Sequence, residues 1–435
     1  MFLQYLLNRR MRHKKRLQLY TIPKVIVRFL AGLQFGVFIY IAVSGFAFAD
    51  SAANSPTKPT TQLVAHRIPG HCGTASCFSR DGRRIMIAGL KQVAVLDSST
   101  LQQIGKPLHF DGSITAATIN PNGTHMAVCI GSEISIWDIE RSKSVLTLKK
   151  NTGSVSDLVY SDDGKLIAGA GPGKRACIWS ASSGLMVKTL SHDDDVRSVE
   201  FDTDGTMLLT STLANIVKDD KNHVAKLNVH LWNVESGRRK WTIENCSGRP
   251  VFSPNGELVG VPEGVNGAMV CDTQKGEAVA RWQSITGVRG VTSICFDKSG
   301  KFVLIAGDDG QSVVESSARV FQIKKSENSQ TYDLDEFRGF APNSEIARAS
   351  ISPNGQFVAL VSMFDRSKTA IWNVNNGKML FNIYGDAPED QLSIAQNVVF
   401  KSDSSRLLVT YFVGPQDSSL SYTMIWSIPA PQHSK

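Results

Sequence analysis

The sequence predicts an all-β fold, an eight-bladed β-propeller of four-stranded antiparallel blades, with a seven-bladed ring as the alternative. Three observations predict it. Two columns of residues recur at matching offsets, a tight-turn signal sits inside each repeat, and the repeat period stays near the length of one small sheet.

The first column is aromatic or Ile: Phe78, Ile119, Tyr160, Phe201, Phe252, Phe296, Ile351 and Phe400. Four residues later stands Gly82, Gly123, Gly164, Gly205, Gly256, Gly300 or Gly355, with Ser404 in the eighth place. Asp, Asn or Ser precedes these glycines, as in Asp81-Gly82 and Asn122-Gly123. Tight hairpin turns need positive φ, which Gly adopts freely and Asn or Asp tolerate. Each repeat therefore opens as strand, tight turn, strand. The second column closes a third strand: Leu96, Trp137, Trp179, Trp232, Cys271, Phe321, Trp372 and Trp426. An aliphatic residue precedes each (Val95, Ile136, Ile178, Leu231, Val270, Val320, Ile371, Ile425), marking one buried face of a period-two strand. Segments such as Ser144–Leu148, Met186–Leu190 and Arg239–Ile243 supply fourth strands.

Glycine-to-glycine spacings of 41, 41, 41, 51, 44 and 55 then invite a family comparison. Ile134-Ser135-Ile136-Trp137-Asp138, the stretch Val155–Gly164, and Ser191-His192 followed by Val196–Gly205 resemble WD repeats, over residues 63–428. The pattern is degenerate. Trp-Asp occurs once, and elsewhere Trp-Ser (179–180, 426–427) or Trp-Asn (232–233, 372–373) replaces it. Gly-His stands only at Gly70-His71, with Ser191-His192 a near match. The His–Ser–Trp–Asp hydrogen-bond set that the resemblance implies is thus expected to be incomplete in most blades.

Fourth strands alternate evenly with the repeats only if Leu63–Ile68 is counted as one of them, and the last repeat stops after its third strand at Trp426-Ser427-Ile428. The N-terminal strand is therefore expected to complete the last blade, which covers edges a free sheet would expose.

Residues 1–49 carry Arg9, Arg10, Arg12, Lys14, Lys15, Arg16, Lys24 and Arg28 and no acidic residue, which accounts for the whole net charge of +8. The rest of the chain is balanced, so no nucleic-acid partner is expected. The basic stretch precedes an apolar run, Phe29–Ala49, that ends Ala47-Phe48-Ala49. This reads as a secretory signal cleaved before Asp50. The alternative is an uncleaved anchor, since a run of that length at ~1.5 Å per residue spans about 31 Å. Either way the body is expected to be exported, periplasmic or extracellular, and to meet a membrane only through an uncleaved leader. Asp50–Gln62 reads as a flexible linker and 429–435 as a tail. The seven cysteines (72, 77, 129, 177, 246, 271, 295) are odd in number and scattered, so most read as small buried hydrophobes, with a Cys72–Cys77 pair as the alternative.

Insertions locate the candidate binding face. The interval between the two columns is 18 to 21 residues in most repeats but 31, 25 and 26 in the fourth, sixth and eighth. The fourth carries a loop over Ser211–Lys226, with Lys218, Asp219, Asp220, Lys221 and His223; the eighth carries Gly414–Ser421. Long linkers add Arg338–Glu345, and Gly385–Ala395 with Asp386, Glu389 and Asp390. His192, Asp193, Asp194 and Asp195 lie between a fourth and a first strand of the same face. Together these are the candidate partner-binding residues, because function concentrates on loops held by a rigid scaffold. Solvated loop drift is the competing explanation. Three adjacent carboxylates with His223 nearby could hold a divalent cation, but a solvated acidic loop is much the commoner explanation.

Catalytic signatures are absent: no Gly-x-Ser-x-Gly elbow, no His-Glu-x-x-His, no metal-spaced His/Cys cluster. Gly169-Ala170-Gly171-Pro172-Gly173-Lys174 has the look of a phosphate loop, but Ala168 and Arg175 break the pattern and no helix follows. Gly237-Arg238-Arg239-Lys240-Trp241 resembles, once, the Gly-x-x-x-Trp docking element of quinoprotein propellers. The sequence therefore reads as a monomeric, non-catalytic interaction scaffold with protein partners, and with no cofactor or metal. An enzyme or small-molecule-binding propeller using its central channel is the alternative.

Overall fold

The computed structural model describes residues 65–69, 75–148, 153–219, 222–263, 267–283, 290–308, 318–325, 332–342, 346–362, 368–383, 393–413 and 422–428. The chain divides into a main unit, Ala53–Ile216 with Ala225–Lys435, and a small one, Met1–Ala52 with Val217–Val224. In the small unit the described residues are stretches of two neighbouring strands, 217–219 and 222–224. The main unit is an all-β propeller.

Strand β1 (Ala65–Pro69) comes first. The first repeat then forms β2 (Ala75–Phe78), β3 (Arg84–Ala88), β4 (Gln92–Asp97) and β5 (Gln103–His109). The second forms β6 (Ile114–Ile119), β7 (His125–Ile130), β8 (Glu133–Asp138) and β9 (Lys143–Thr147). The third forms β10 (Asp157–Tyr160), β11 (Leu166–Gly171), β12 (Arg175–Ser180) and β13 (Met186–Ser191). The fourth forms β14 (Val196–Phe201), β15 (Met207–Asp219), β16 (Asn222–Asn233) and β17 (Arg239–Cys246). The fifth forms β18 (Val251–Phe252), β19 (Leu258–Glu263), β20 (Gly267–Asp272) and β21 (Ala278–Gln283). The sixth forms β22 (Gly290–Phe296), β23 (Phe302–Asp308), β24 (Ala318–Lys325) and β25 (Tyr332–Phe340). The seventh forms β26 (Ile346–Ile351), β27 (Phe357–Ser362), β28 (Thr369–Asn373) and β29 (Met379–Ile383). The last forms β30 (Ser393–Phe400), β31 (Arg406–Val413) and β32 (Tyr422–Ser427).

Six sheets have four antiparallel strands each, and one has eight. The eight-stranded sheet joins β14–β17 to β18–β21, and β17 meets β19 through the single pair Cys246↔Glu263. First strands pack on one another in sequence order, β2 on β6, β6 on β10, β10 on β14, β14 on β18, β18 on β22, β22 on β26 and β26 on β30, and β30 returns to β2. Apolar clusters fill the spaces between neighbouring repeats, as where Met86, Val93 and Val95 of the first pack with Ile114, Ile119 and Met126 of the second. A repeat cannot bury its own apolar face alone, so each depends on its neighbour.

The turn column behaves as the sequence predicts. Gly82, Gly123, Gly164, Gly205, Gly256, Gly300 and Gly355 have φ between +68° and +73°, and Ser404 takes +62° in the eighth place. A second column makes these turns rigid. The residue just after the aromatic column is Ser79, Asn120, Ser161, Asp202, Ser253, Asp297 or Ser352, and its side-chain oxygen accepts the backbone N–H five residues on. The turns are also tied to one another: Asp81 N donates to Pro121 O and Lys298 N to Pro353 O. Thr203 Oγ1 donates to Pro254 O, and Asn354 N to Ser404 Oγ.

The ends of the ring meet. β1 pairs antiparallel with β32, from Ala65↔Trp426 to Pro69↔Tyr422, and completes the sheet β1-β32-β31-β30. Polar contacts stitch the last repeat to the first: Asn397 Nδ2 donates to Ser76 O at 2.6 Å, Ser76 Oγ lies 2.5 Å from Thr410 Oγ1, and Arg406 donates to Ser99 O at 2.7 Å. Ile85, Ile87 and Leu96 share one apolar cluster with Leu408 and Ile425 across the same seam. Deleting Leu63–Pro69 should abolish cooperative melting or cause aggregation, because β32 and the seam lose their cover. Differential scanning calorimetry of the deletion variant tests this, and a soluble protein melting in one sharp transition at the wild-type temperature would contradict it.

Candidate functional site

The fourth repeat carries the most elaborate connections on the face that joins second to third strands and fourth to first. β15 and β16 are 13 and 12 residues long, against six for their counterparts β7 and β8. The expected loop over Ser211–Lys226 is therefore largely an extension of two paired strands. Leu213 to Lys218 runs Leu-Ala-Asn-Ile-Val-Lys, which lacks strict alternation yet carries the β-branched Ile216 and Val217 that suit a strand. Lys218, Asp219 and His223 fall on these strands; Asp220 and Lys221 lie outside the described residues.

His192 does not belong to an exposed docking loop, which corrects the sequence expectation. It is 8% exposed, and both ring nitrogens are used internally. Nδ1 lies 3.0 Å from Leu190 O and Nε2 2.9 Å from Thr210 Oγ1, which also accepts the indole N–H of Trp232 at 3.0 Å. A second buried imidazole stands beside it: His230 Nδ1 lies 2.9 Å from Thr242 Oγ1 and Nε2 3.2 Å from Thr212 Oγ1. Burial pulls both histidines down to about 4. The hydroxyl that receives the indole sits nine residues after the aromatic column, where the other repeats have Ile87, Val128, Gly169, Val261, Ile305, Leu360 and Val409. The His–hydroxyl–Trp set is thus assembled in the fourth repeat, while the indole N–H groups of Trp372 and Trp426 find no partner among the described residues.

Of the acidic run, Asp193 is exposed and Asp194 half-buried. Asp195 is a brace: its Oδ1 accepts from Gly173 N at 2.9 Å and its carbonyl from Leu213 N at 3.0 Å. It thereby joins the turn of the third repeat to the base of the long hairpin. That turn, Gly171–Lys174, connects β11 to β12 as a plain strand connection, and a Cβ on Gly171 would sit 2.1 Å from Ser154 O. The shallow depression beside it is lined by Gly153, Gly171, Pro172, Arg175 and Trp179.

Arg338 is likewise displaced from its expected linker. It lies within β25, and its guanidinium donates to Val374 O and to Asn375 O at 3.2 and 2.7 Å, clamping a turn of the next repeat. Its stem packs where a Cβ on Gly377 would fall, 3.0 Å away. Trp241 does the same under Gly276, donating its indole N–H to Thr273 O at 2.8 Å. The single Gly-x-x-x-Trp match thus marks a general docking position that other side chains also occupy. Asp386, Glu389 and Asp390 lie outside the described residues.

A column the sequence reading passed over lines the inner strands, three residues before the aromatic column. Asp157 accepts from Val199 N at 2.9 Å, Ser293 from Ala349 N at 3.0 Å, and Asn397 donates to Ser76 O. In the fifth repeat this place is Arg249, which pairs with Asp157 at 3.2 Å and Glu200 at 3.8 Å and donates to Val199 O. Burial raises Glu200, and Asp157 foremost raises Arg249. The signal was available: polar residues recur at one offset on otherwise apolar strands.

Among the described residues no three His, Cys, Asp or Glu side chains gather as a metal site, and no helix is long and apolar enough to cross a membrane. Cys77, Cys129, Cys177, Cys246, Cys271 and Cys295 are free thiols. Burial pushes Cys77 up to about 11 and Cys246, Cys271 and Cys295 to about 12, which keeps them protonated and unreactive. Cys72 lies outside the described residues.

Comparison with known proteins agrees with this geometry. A family model described as eukaryotic translation initiation factor eIF2A matches residues 88–235. The COMPASS component SWD3 of Saccharomyces cerevisiae is 25% identical over 207 residues, 45% of this chain and 62% of that protein. An uncharacterized WD repeat-containing protein of Synechocystis is 28% identical over 152 residues, 34% of this chain and 40% of that one. The chain thus spans less than two thirds of the length of these relatives. Among solved structures, the propeller domain of Cps50 (Swd1) from Myceliophteria thermophila aligns with a TM-score of 0.53 at 13% identity, covering 73% of this chain and 97% of that one. The computationally designed protein Ika8 aligns at 0.61 and 14% identity, covering 83% and 98%.

Thr210→Val keeps the shape of the fourth repeat but strands the Trp232 indole and His192 Nε2. Urea denaturation at neutral pH should show a loss of about 1–3 kcal/mol; an unchanged midpoint would mean that the hydroxyl does not hold the set together.

Proposed function

We propose that this chain, a WD-repeat-like β-propeller, is an exported, non-catalytic scaffold of eight blades that docks a protein partner on the face carrying the fourth repeat's long hairpin. The observation that carries the reading is the asymmetry of the two faces. One face consists of short turns of nearly constant length, several of them hydrogen-bonded to one another. The opposite face carries the 13- and 12-residue strands of the hairpin and the braced 193–195 loop. A rigid ring bearing one irregular face suits recognition by shape.

Several observations support the finer parts. The first strands of eight successive repeats pack in order and return to the first, and the eight-stranded sheet holds its halves through one residue pair; both favour eight blades over seven. The leader's basic and apolar segments support export. Two relatives, the COMPASS component SWD3 and translation initiation factor 3 subunit I of Pyricularia oryzae, are by name parts of larger assemblies, which favours a scaffold over an enzyme. The charged groups Asp157, Glu200 and Arg249 at the inner strands are paired with one another, which suits a structural role.

Replacing residues 213–226 by a two-residue Asn-Gly turn tests the assignment. The mature body, expected to start at Asp50 after secretion, should keep its fold while losing partners that co-purify with the wild type from the compartment it is secreted into. Retention of every such partner would place docking elsewhere.

A further inference from the structure

The two imidazoles of the fourth repeat are more than packing. Their rings stand 5.3 Å apart, edge to face, and Trp232 lies 4.9 Å from His192. Their hydrogen bonds have a direction. Leu190 O can only accept, so His192 Nδ1–H donates to it and, in the neutral ring, Nε2 accepts from the Thr210 hydroxyl, which itself accepts the Trp232 indole N–H. On His230, Nε2 faces Thr212 Oγ1 and Nδ1 faces Thr242 Oγ1, so the neutral ring donates to one hydroxyl and accepts from the other. The His192 chain works only with a neutral ring: a proton on Nε2 sets two donors against each other and leaves the buried Thr210 hydroxyl without an acceptor. At His230 the exposed Thr242 hydroxyl can turn to water, and the cost of a proton there is the charge placed on a buried ring.

The surroundings oppose a positive charge. Among the described residues, the charged groups that act on the pair are Arg239 on β17, whose guanidinium lies 5.8 Å over Trp232, and Asp193 on the connection between β13 and β14. Arg239 repels a charged imidazole; Asp193 favours one, but from an exposed position where water weakens it.

We propose that His192 and His230 form an acid-operated latch: neutral, they clasp the connection at 190–195 to the base of the hairpin in β15 and β16, and on protonation they release it. Thr210 and Thr212 on β15, His230 on β16 and Thr242 on β17 are the parts that come apart together. The inference rests on these contacts and not on what docks above them. The direction follows from linkage. Both groups lie near 4 in the folded chain and near 6.5 when free, so the closed form is fully favoured above about pH 6.5, weakens as pH falls toward 4, and weakens no further below it. Each histidine costs the closed form about tenfold per pH unit across that window.

Hydrogen–deuterium exchange of the full chain, corrected for intrinsic rates, tests the latch between about pH 7 and about pH 4.5. Protection should fall at least about tenfold in 190–196, 207–213 and 227–233 while β3 and β7 keep theirs. A uniform loss, or none, would overturn the proposal. His192→Gln with His230→Gln should flatten the response of those segments, and an undiminished response would also overturn it. Should that variant fail to fold, the histidine NMR titration of the wild type decides: both resonances titrating well below 6.5 support the latch, and either one titrating near 6.5 refutes it.

Discussion

The antiparallel pairing of β1 with β32 is the constraint on which the remaining structure depends, because it turns a row of repeats into a finite object. Each repeat buries its apolar face against the next, so an open row would end in two uncovered faces and an unpaired edge. Closure supplies the missing neighbour. It does so with a strand taken from the other end of the chain, so that the hydrogen bonds of one sheet hold both termini of the ring. Asn397, Ser76 and Thr410 then fix how the last repeat sits on the first, since a buried polar group tolerates only positions where its partner is present.

The same logic explains why polar residues appear in strands that are otherwise apolar. The acceptors after the aromatic column hold the turns, and the column three residues before it holds neighbouring inner strands together. In the fourth repeat a run of Thr and His replaces aliphatic residues, so the repeat that carries the long hairpin also has directional bonds in its interior. Apolar packing alone permits small rotations of a strand; a hydrogen-bond chain through His192, Thr210 and Trp232 does not. Rigidity at the base of the hairpin and sensitivity to protons have the same origin.

Most of the fold was legible in the sequence because a repeat reports its geometry many times over. The aromatic column, the turn glycines and the Trp column each fall on the expected strand or turn, and the expected closing strand is β1. The site was less legible. His192 read as a loop residue because its burial depends on Thr210, 18 residues away on a strand whose register the local sequence does not state. The segment after Ser211 read as a loop because Leu213–Lys218 does not keep the apolar–polar alternation that marks a strand. Arg338 read as linker for a similar reason: β25 is nine residues long, beyond the usual fourth strand. The polar columns are harder to see because their residue types vary from repeat to repeat, although their offsets are fixed.

Closure by the first strand is tested most directly by a cross-link across the pair β1–β32. Arg67 and Met424 are register partners on β1 and β32, so the double variant Arg67→Cys, Met424→Cys places two thiols on adjacent backbones. Mild oxidation followed by proteolysis and mass spectrometry should yield one peptide joining these positions within a monomer, and the oxidised protein should melt at a higher temperature than the reduced one. Absence of that peptide, or its appearance only between two molecules, would contradict a ring closed by its own first strand.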